Sequence, residues 1–235
     1  MKREKPFGRG PLPGSTARSA QGTLRSHAVG ALPIINDVLQ RIRLEEHLRA
    51  YLPAEDGRTR PSSARALLTL VRNLLLSREP LYGLGEWAGR YAPDLLGLSA
   101  EEVTRLNDDR VGRALDRLFL ADVPSLALAV ASQMVRAFGV SLDELHNDST
   151  TVTFTGAYVH ADGLRRFLGR PTLAITWGHN KDHRPDLKQL LFLLTISHDG
   201  GVPLHFRAAD GNTSDVSTHR DTWNLLCNHL AVTLG

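Results

Sequence analysis

The chain has 235 residues, of which 42% are hydrophobic and 23% charged, enough to bury a sizeable core in one large or two small domains. The formal net charge of +3 conceals an asymmetry: residues 1 to 30 carry Lys2, Arg3, Lys5, Arg9, Arg18 and Arg25 against Glu4 alone, a net of +5, leaving −2 for the remainder. A single cysteine, Cys227, excludes an internal disulfide and a multi-thiolate zinc site.

Residues 1 to 30 are rich in Arg, Gly, Pro and Ser and lack the apolar segment of a secretory signal. They read as a basic disordered leader, either simply solvated or adding sequence-independent phosphate contacts. Apolar runs such as Leu190 to Leu194 fall far short of the roughly twenty residues of a membrane span. The expectation is a cytoplasmic protein without membrane contact.

From 31 to 140 the apolar residues recur at helical spacing. Leu67, Leu68, Val71, Leu74 and Leu75 form one stripe, Val111, Leu115, Leu118 and Phe119 another, and Leu126, Val130, Met134 and Phe138 a third. Pro61 and Pro124 suit first turns, Asp122 suits a cap, and Gly139 suits a C-terminal stop. Gly57, Gly83, Gly85, Pro93 and Gly97 divide this helical domain into about five helices.

From 141 onward the pattern changes to strands. Thr151 to Thr155 alternates β-branched residues with an aromatic, which suits a pleated surface, within a strand region from Leu142 to Thr155. Leu173 to Trp177 is a second, short candidate. The apolar stretch Leu190 to Ser197 predicts a central strand covered on both faces, and Val202 to Ala209 its hairpin partner across the turn His198-Asp199-Gly200-Gly201. Asp215 then suits the cap of a helix to Leu234 with Trp223, Leu226 and Leu230 inward. The fold class is therefore α+β or α/β, a helical domain followed by a partial sheet over 141 to 235 with one helix.

Chemistry-bearing residues concentrate in the second half. Asp148 precedes Ser149-Thr150-Thr151 on the first strand; it can begin a turn through hydrogen bonds to its own backbone, or offer a carboxylate to a hard divalent ion. Lys181, His183, Arg184 and Lys188 place four donors within eight residues around Pro185, and Arg165, Arg166 and Arg170 can extend that patch. The same loop can instead be merely solvated, with Asp186 capping the next segment. His179 and His183 have zinc-helix spacing, but Asn180-Lys181-Asp182 supplies no glutamate base and Pro185 stops a helix, so zinc hydrolysis is not expected. His198 and His205 flank the hairpin and read as edge-strand histidines.

Taken in order, His146-Asn147-Asp148-Ser149-Thr150-Thr151, the loop Lys181 to Gln189, Asp199-Gly200-Gly201-Val202-Pro203-Leu204 and Gly211-Asn212-Thr213-Ser214-Asp215 resemble the core of a bacterial insertion-sequence transposase of the DDE type. The resemblance runs from about Leu142 to the C-terminus. It implies a ribonuclease-H-like mixed sheet, Asp148 as the first catalytic and metal-binding carboxylate, and Mg²⁺ or Mn²⁺ as cofactor in the complete enzyme. It also implies double-stranded transposon-end DNA as partner, held by the basic loop, with full-length transposase or self-association as further partners. Two-ion phosphodiester chemistry needs carboxylates beyond Asp148. The second aspartate and the glutamate of the family would fall after Gly235, so the expectation is an N-terminal part of such an enzyme, with no tightly bound ion and no activity alone. The alternatives are a non-catalytic DNA-binding or regulatory fragment, and an inert product.

Overall fold

The computed structural model describes residues 26–179, 183–214, 220 and 222–226. Over the first half it places α1 (Leu32–Arg41), α2 (Leu44–Tyr51), α3 (Ser63–Leu76), α4 (Leu84–Gly89), α5 (Ala100–Thr104), α6 (Asp108–Leu120) and α7 (Val123–Phe138), with 3₁₀ turns at Leu81–Gly83 and Pro93–Leu96. The helical expectation holds, with seven α-helices between Leu32 and Phe138 in place of about five. The surplus comes from breaks without a Gly or Pro. Arg43, in the left-handed conformation (φ 51°), separates α1 from α2, and the Ser99–Glu102 capping box starts the short α5. Gly85, expected as a breaker, lies inside α4, where the backbone of Leu106 approaches too closely for any Cβ: one would stand 2.4 Å from the Leu106 carbonyl oxygen.

Trp87, Leu32, Leu84, Leu96 and Val111 are fully buried at the centre of the helical core. In α3 the inward face is Ala64, Leu67 and Leu68, with Val71 half-buried; Leu74 and Leu75, expected on the same stripe, are exposed, and the last turn instead buries Arg72 and Asn73 and packs Leu76 on the core. The third stripe departs similarly. Helix α7 buries Leu126, Leu128, Ala131 and Val135, whereas Phe138 lies at the surface beneath the Arg41 guanidinium, 4.1 Å from its ring centre. Asp122 caps α7 by accepting the Ser125 N–H (3.2 Å), Pro124 occupies its first turn, and Gly139 ends it at φ 64°. Pro61 differs from expectation: it precedes the α3 cap, Ser62, and is buried outside the helix.

The second half forms β1 (Leu145–Phe154), β2 (Arg166–Phe167), β3 (Arg170–Pro171), β4 (Lys188–Ser197) and β5 (Pro203–Asp210). Strands β1, β4 and β5 make a three-stranded antiparallel sheet with β4 in the middle, and β2 with β3 a separate hairpin. The architecture is α+β. The β1–β4 register pairs Asp148 with Leu194, and the β4–β5 register pairs Leu194 with Phe206. The turn between β4 and β5 uses Gly200 and Gly201, both at positive φ (73° and 62°), as the sequence predicts.

Strand alternation gives the sheet two unlike faces. Gln189, Leu191, Leu193, Thr195 and Ser197 of β4 are all buried, while Leu190, Phe192, Leu194 and Ile196 on the opposite face are half-exposed, with Phe192 and Phe206 stacked 6.0 Å apart. β4 is thus central, as expected, but fully covered on only one face. Leu204 of β5 packs on Ala131 and Val135 of α7, joining sheet to helices. Leu173 to Trp177 is not a strand: it makes isolated bridges, Ala174 to Asp162 and Thr176 to Gln189. The Asp210 carboxylate takes the Ala174 N–H (2.8 Å), which diverts that donor from a ladder. For the predicted last helix, Arg220 and Thr222–Leu226 are helical; Leu226 is buried but Trp223 is exposed, so the expected inward face does not include Trp223. Asp215, Cys227 and Leu230 lie outside the described residues.

Candidate nucleic-acid and metal site

Asp148 sits near the middle of β1, on an edge of the three-stranded sheet and on its half-exposed face. The strand period puts His146, Asp148, Thr150 and Val152 on this face and Ser149 and Thr151, both buried, on the other. The buried hydroxyls fix which way β1 faces, and that orientation delivers the Asp148 carboxylate to the surface. Its Oδ1 accepts the Ser149 N–H at 2.8 Å, the local backbone bond expected of an Asp, and the strand continues through it without a turn.

The basic residues divide among three surroundings. Lys181 lies outside the described residues. His183 and Arg184 are exposed, and the Arg184 guanidinium is engaged by Asp186 through two bonds, Nε to Oδ1 at 2.8 Å and Nη2 to Oδ2 at 2.7 Å. That fork lowers the Asp186 pKa and raises that of Arg184, hydrogen bonding being the main cause for both. Lys188 donates to the Ala157 carbonyl and stands over the Trp177 ring, 4.8 Å from its centre.

Arg165, Arg166 and Arg170 belong to the small hairpin. The Asp162 carboxylate holds its start by accepting the N–H groups of Leu164 (3.0 Å) and Arg165 (3.3 Å), which pulls the Asp162 pKa down. Arg166 donates to the Gly169 carbonyl at 2.9 Å across the hairpin. Arg170 reaches the Ala121 carbonyl at 2.8 Å just after α6, and Phe167 meets Phe119 edge-on with ring centres 5.5 Å apart. Arg170 is therefore a strut between hairpin and helices, whereas the side chains of Arg165 and Arg166 stay at the surface.

The strand register separates the loop from the carboxylate. Lys188 pairs with Phe154, six positions along β1 from Asp148, or about 20 Å at strand rise. At Asp148's own end of the strand stand Glu144, His146 and His198. The rings of His146 and His198 meet with Nε2 3.0 Å from Nδ1, and a Glu144 oxygen lies 3.8 Å from each nitrogen. In sequence these are only an edge histidine and two ordinary strand residues. The available signal was the alternation placing His146 on one face, together with the hairpin turn that returns His198 beside it.

The Asp148 carboxylate has the right chemistry to bind Mg²⁺ or Mn²⁺, which prefer oxygen ligands. Among the described residues, however, no group of three His, Asp or Glu with converging ligand atoms includes it. A single carboxylate does not meet the needs of a two-ion centre, and no catalytic step follows from Asp148 alone.

No curated protein and no solved structure matches the chain. Residues 24–132, which span α1 to the tenth of the sixteen residues of α7 and stop before the sheet, match a family described as a domain of unknown function, DUF4277.

Proposed function

We propose that this protein serves DNA transposition of the DDE type, with β1, β4 and β5 as the first strands of a ribonuclease-H-like core and Asp148 as its first metal-binding carboxylate. The observation that supports this reading best is the position of Asp148: a surface carboxylate in the middle of the first, edge strand of an antiparallel three-stranded sheet, followed by hydroxyl residues. Double-stranded DNA is the partner, contacted through its phosphates by Arg165, Arg166, His183 and Arg184, with Mg²⁺ or Mn²⁺ required for cleavage. Such contacts position a duplex without reading its bases.

A second reading, a DNA-binding regulator that cleaves nothing, draws on Asp148 belonging to no cluster of three potential ligands among the described residues. Fluorescence anisotropy on a labelled duplex tests the shared element. Replacing Arg165, Arg166 and Arg184 with alanine should weaken binding and reduce the salt slope by about 0.9 for each phosphate that is no longer neutralised. Unchanged affinity and slope would reject these residues as the DNA-binding surface. A plasmid-nicking assay with Mn²⁺ separates the two readings: cleavage abolished by Asp148→Ala identifies the enzyme, and DNA binding without cleavage identifies the regulator.

A further inference from the structure

We propose that Glu144, His146 and His198 form a binding site for one divalent transition-metal ion of the Zn²⁺ class, at the hairpin end of the sheet and independent of Asp148. The ligand atoms of the three side chains, two imidazole nitrogens and a carboxylate oxygen, lie within 4.8 Å of one another. Metal–nitrogen bonds of about 2.0–2.1 Å at angles near 90–110° place two ligating nitrogens about 2.9–3.4 Å apart. The separation of His146 Nε2 from His198 Nδ1 is 3.0 Å.

The alternative use of this pair is a hydrogen bond between two neutral rings, one donating to the other. It accounts for the imidazoles but not for the carboxylate. Glu144 directs one oxygen toward each ring, Oε1 to His146 and Oε2 to His198, each at 3.8 Å. That distance is beyond a hydrogen bond. A cation between the three groups uses all of them, with a small rotation of the Glu144 side chain bringing one oxygen into its shell.

The scaffold is held by backbone bonds. The His198 N–H donates to the Glu144 carbonyl at 2.9 Å, and the adjacent pairs Leu145–Ser197 and His146–Ile196 are ladder partners. The turn is fixed in its own right: Val202 N–H donates to Ser197 Oγ at 3.1 Å, and Ser141 N–H donates to Asp199 Oδ2 at 3.1 Å, tying the β4–β5 turn to the chain entering β1. One ligand on β1 and two flanking the paired ends of β1 and β4 are thus pre-positioned, as a metal site requires. An N₂O donor set suits Zn²⁺, Ni²⁺, Co²⁺ or Cu²⁺ rather than Mg²⁺, which takes oxygen ligands. Exposure of all three side chains leaves room for water in the remaining positions.

The probe is Zn²⁺ alone, titrated into the full chain against a chromophoric chelator. The expected result is one saturable equivalent, with affinity reduced tenfold or more in His146→Ala and in His198→Ala, since losing even an outer-shell partner costs about 10–100-fold. Glu144→Gln should weaken binding, and Asp148→Asn should leave it unchanged, which separates this site from the proposed catalytic carboxylate. Urea unfolding in chelator should show the variants as stable as the parent. Absence of saturable Zn²⁺ binding, or full retention of it in the His146→Ala/His198→Ala double variant, would overturn the proposal.

Discussion

Glu55 and Arg110 set up a sharp asymmetry in how the helical region responds to mutation. The Arg110 side chain is only 7% exposed and that of Glu55 19%. Arg110 donates from Nε to the Pro61 carbonyl (2.7 Å) and from Nη2 to Ser63 Oγ (3.0 Å) and Glu55 Oε2 (3.3 Å). Glu55 also accepts the Ser63 N–H (2.8 Å) and hydroxyl (2.7 Å) at the start of α3. Burial pulls the Arg110 pKa down and the Glu55 charge opposes that pull, so the carboxylate is what makes the buried cation tolerable. Glu55→Ala strands the guanidinium and should cost about 3–5 kcal/mol, the range for breaking a buried ion pair from one side. Arg110→Met keeps the apolar stem but gives up the bonds to the Pro61 carbonyl, Ser63 Oγ and Glu55; Glu55 retains both Ser63 donors and faces Arg117 Nε at 3.9 Å, so no charge is stranded and the cost should be about 2 kcal/mol. The double variant should then be less destabilised than the sum of the singles by about 2 kcal/mol. Equilibrium urea unfolding followed by circular dichroism in the far ultraviolet measures all four states of the cycle. Additive costs, or Glu55→Ala costing under about 1 kcal/mol, would refute the stranded-charge argument.

Two further predictions concern the sheet. Gly211→Ala should destabilise it well beyond a typical surface change, because the new Cβ would meet the Gln189 carbonyl at 2.1 Å and the Thr176 carbonyl at 2.5 Å; an unfolding midpoint equal to the parent's would contradict that packing. His205 is buried on β5, and burial, reinforced by nearby Arg207, lowers its pKa below the ordinary 6.5. The unfolded chain then binds this proton at a higher pH than the folded one. The stabilising contribution is fully present above pH 6.5 and is lost as pH falls from there through the lowered folded value. His205→Gln should flatten the stability profile below pH 6.5; an unaltered slope would show that His205 does not carry it.

The two-part organisation, the α+β class, and the β4–β5 hairpin with its Gly200-Gly201 turn are all legible in the chain, because they rest on local periodicity and on backbone conformations only glycine adopts cheaply. The Asp122 and Gly139 caps of α7 are legible for the same reason, since caps are decided within one turn. What depends on partners distant in the chain is set by packing instead. Leu74, Leu75 and Phe138 have core chemistry but stay exposed, Phe138 meeting the Arg41 guanidinium of α1 across its ring. Arg170 looks like a phosphate ligand in sequence and is spent on the Ala121 carbonyl, 49 positions away in the chain. The relation between Asp148 and the basic loop is likewise invisible in sequence. Only the β1–β4 register, fixed by which residues can be buried on the sheet's covered face, puts Lys188 opposite Phe154 and brings Glu144, His146 and His198 together at the other end.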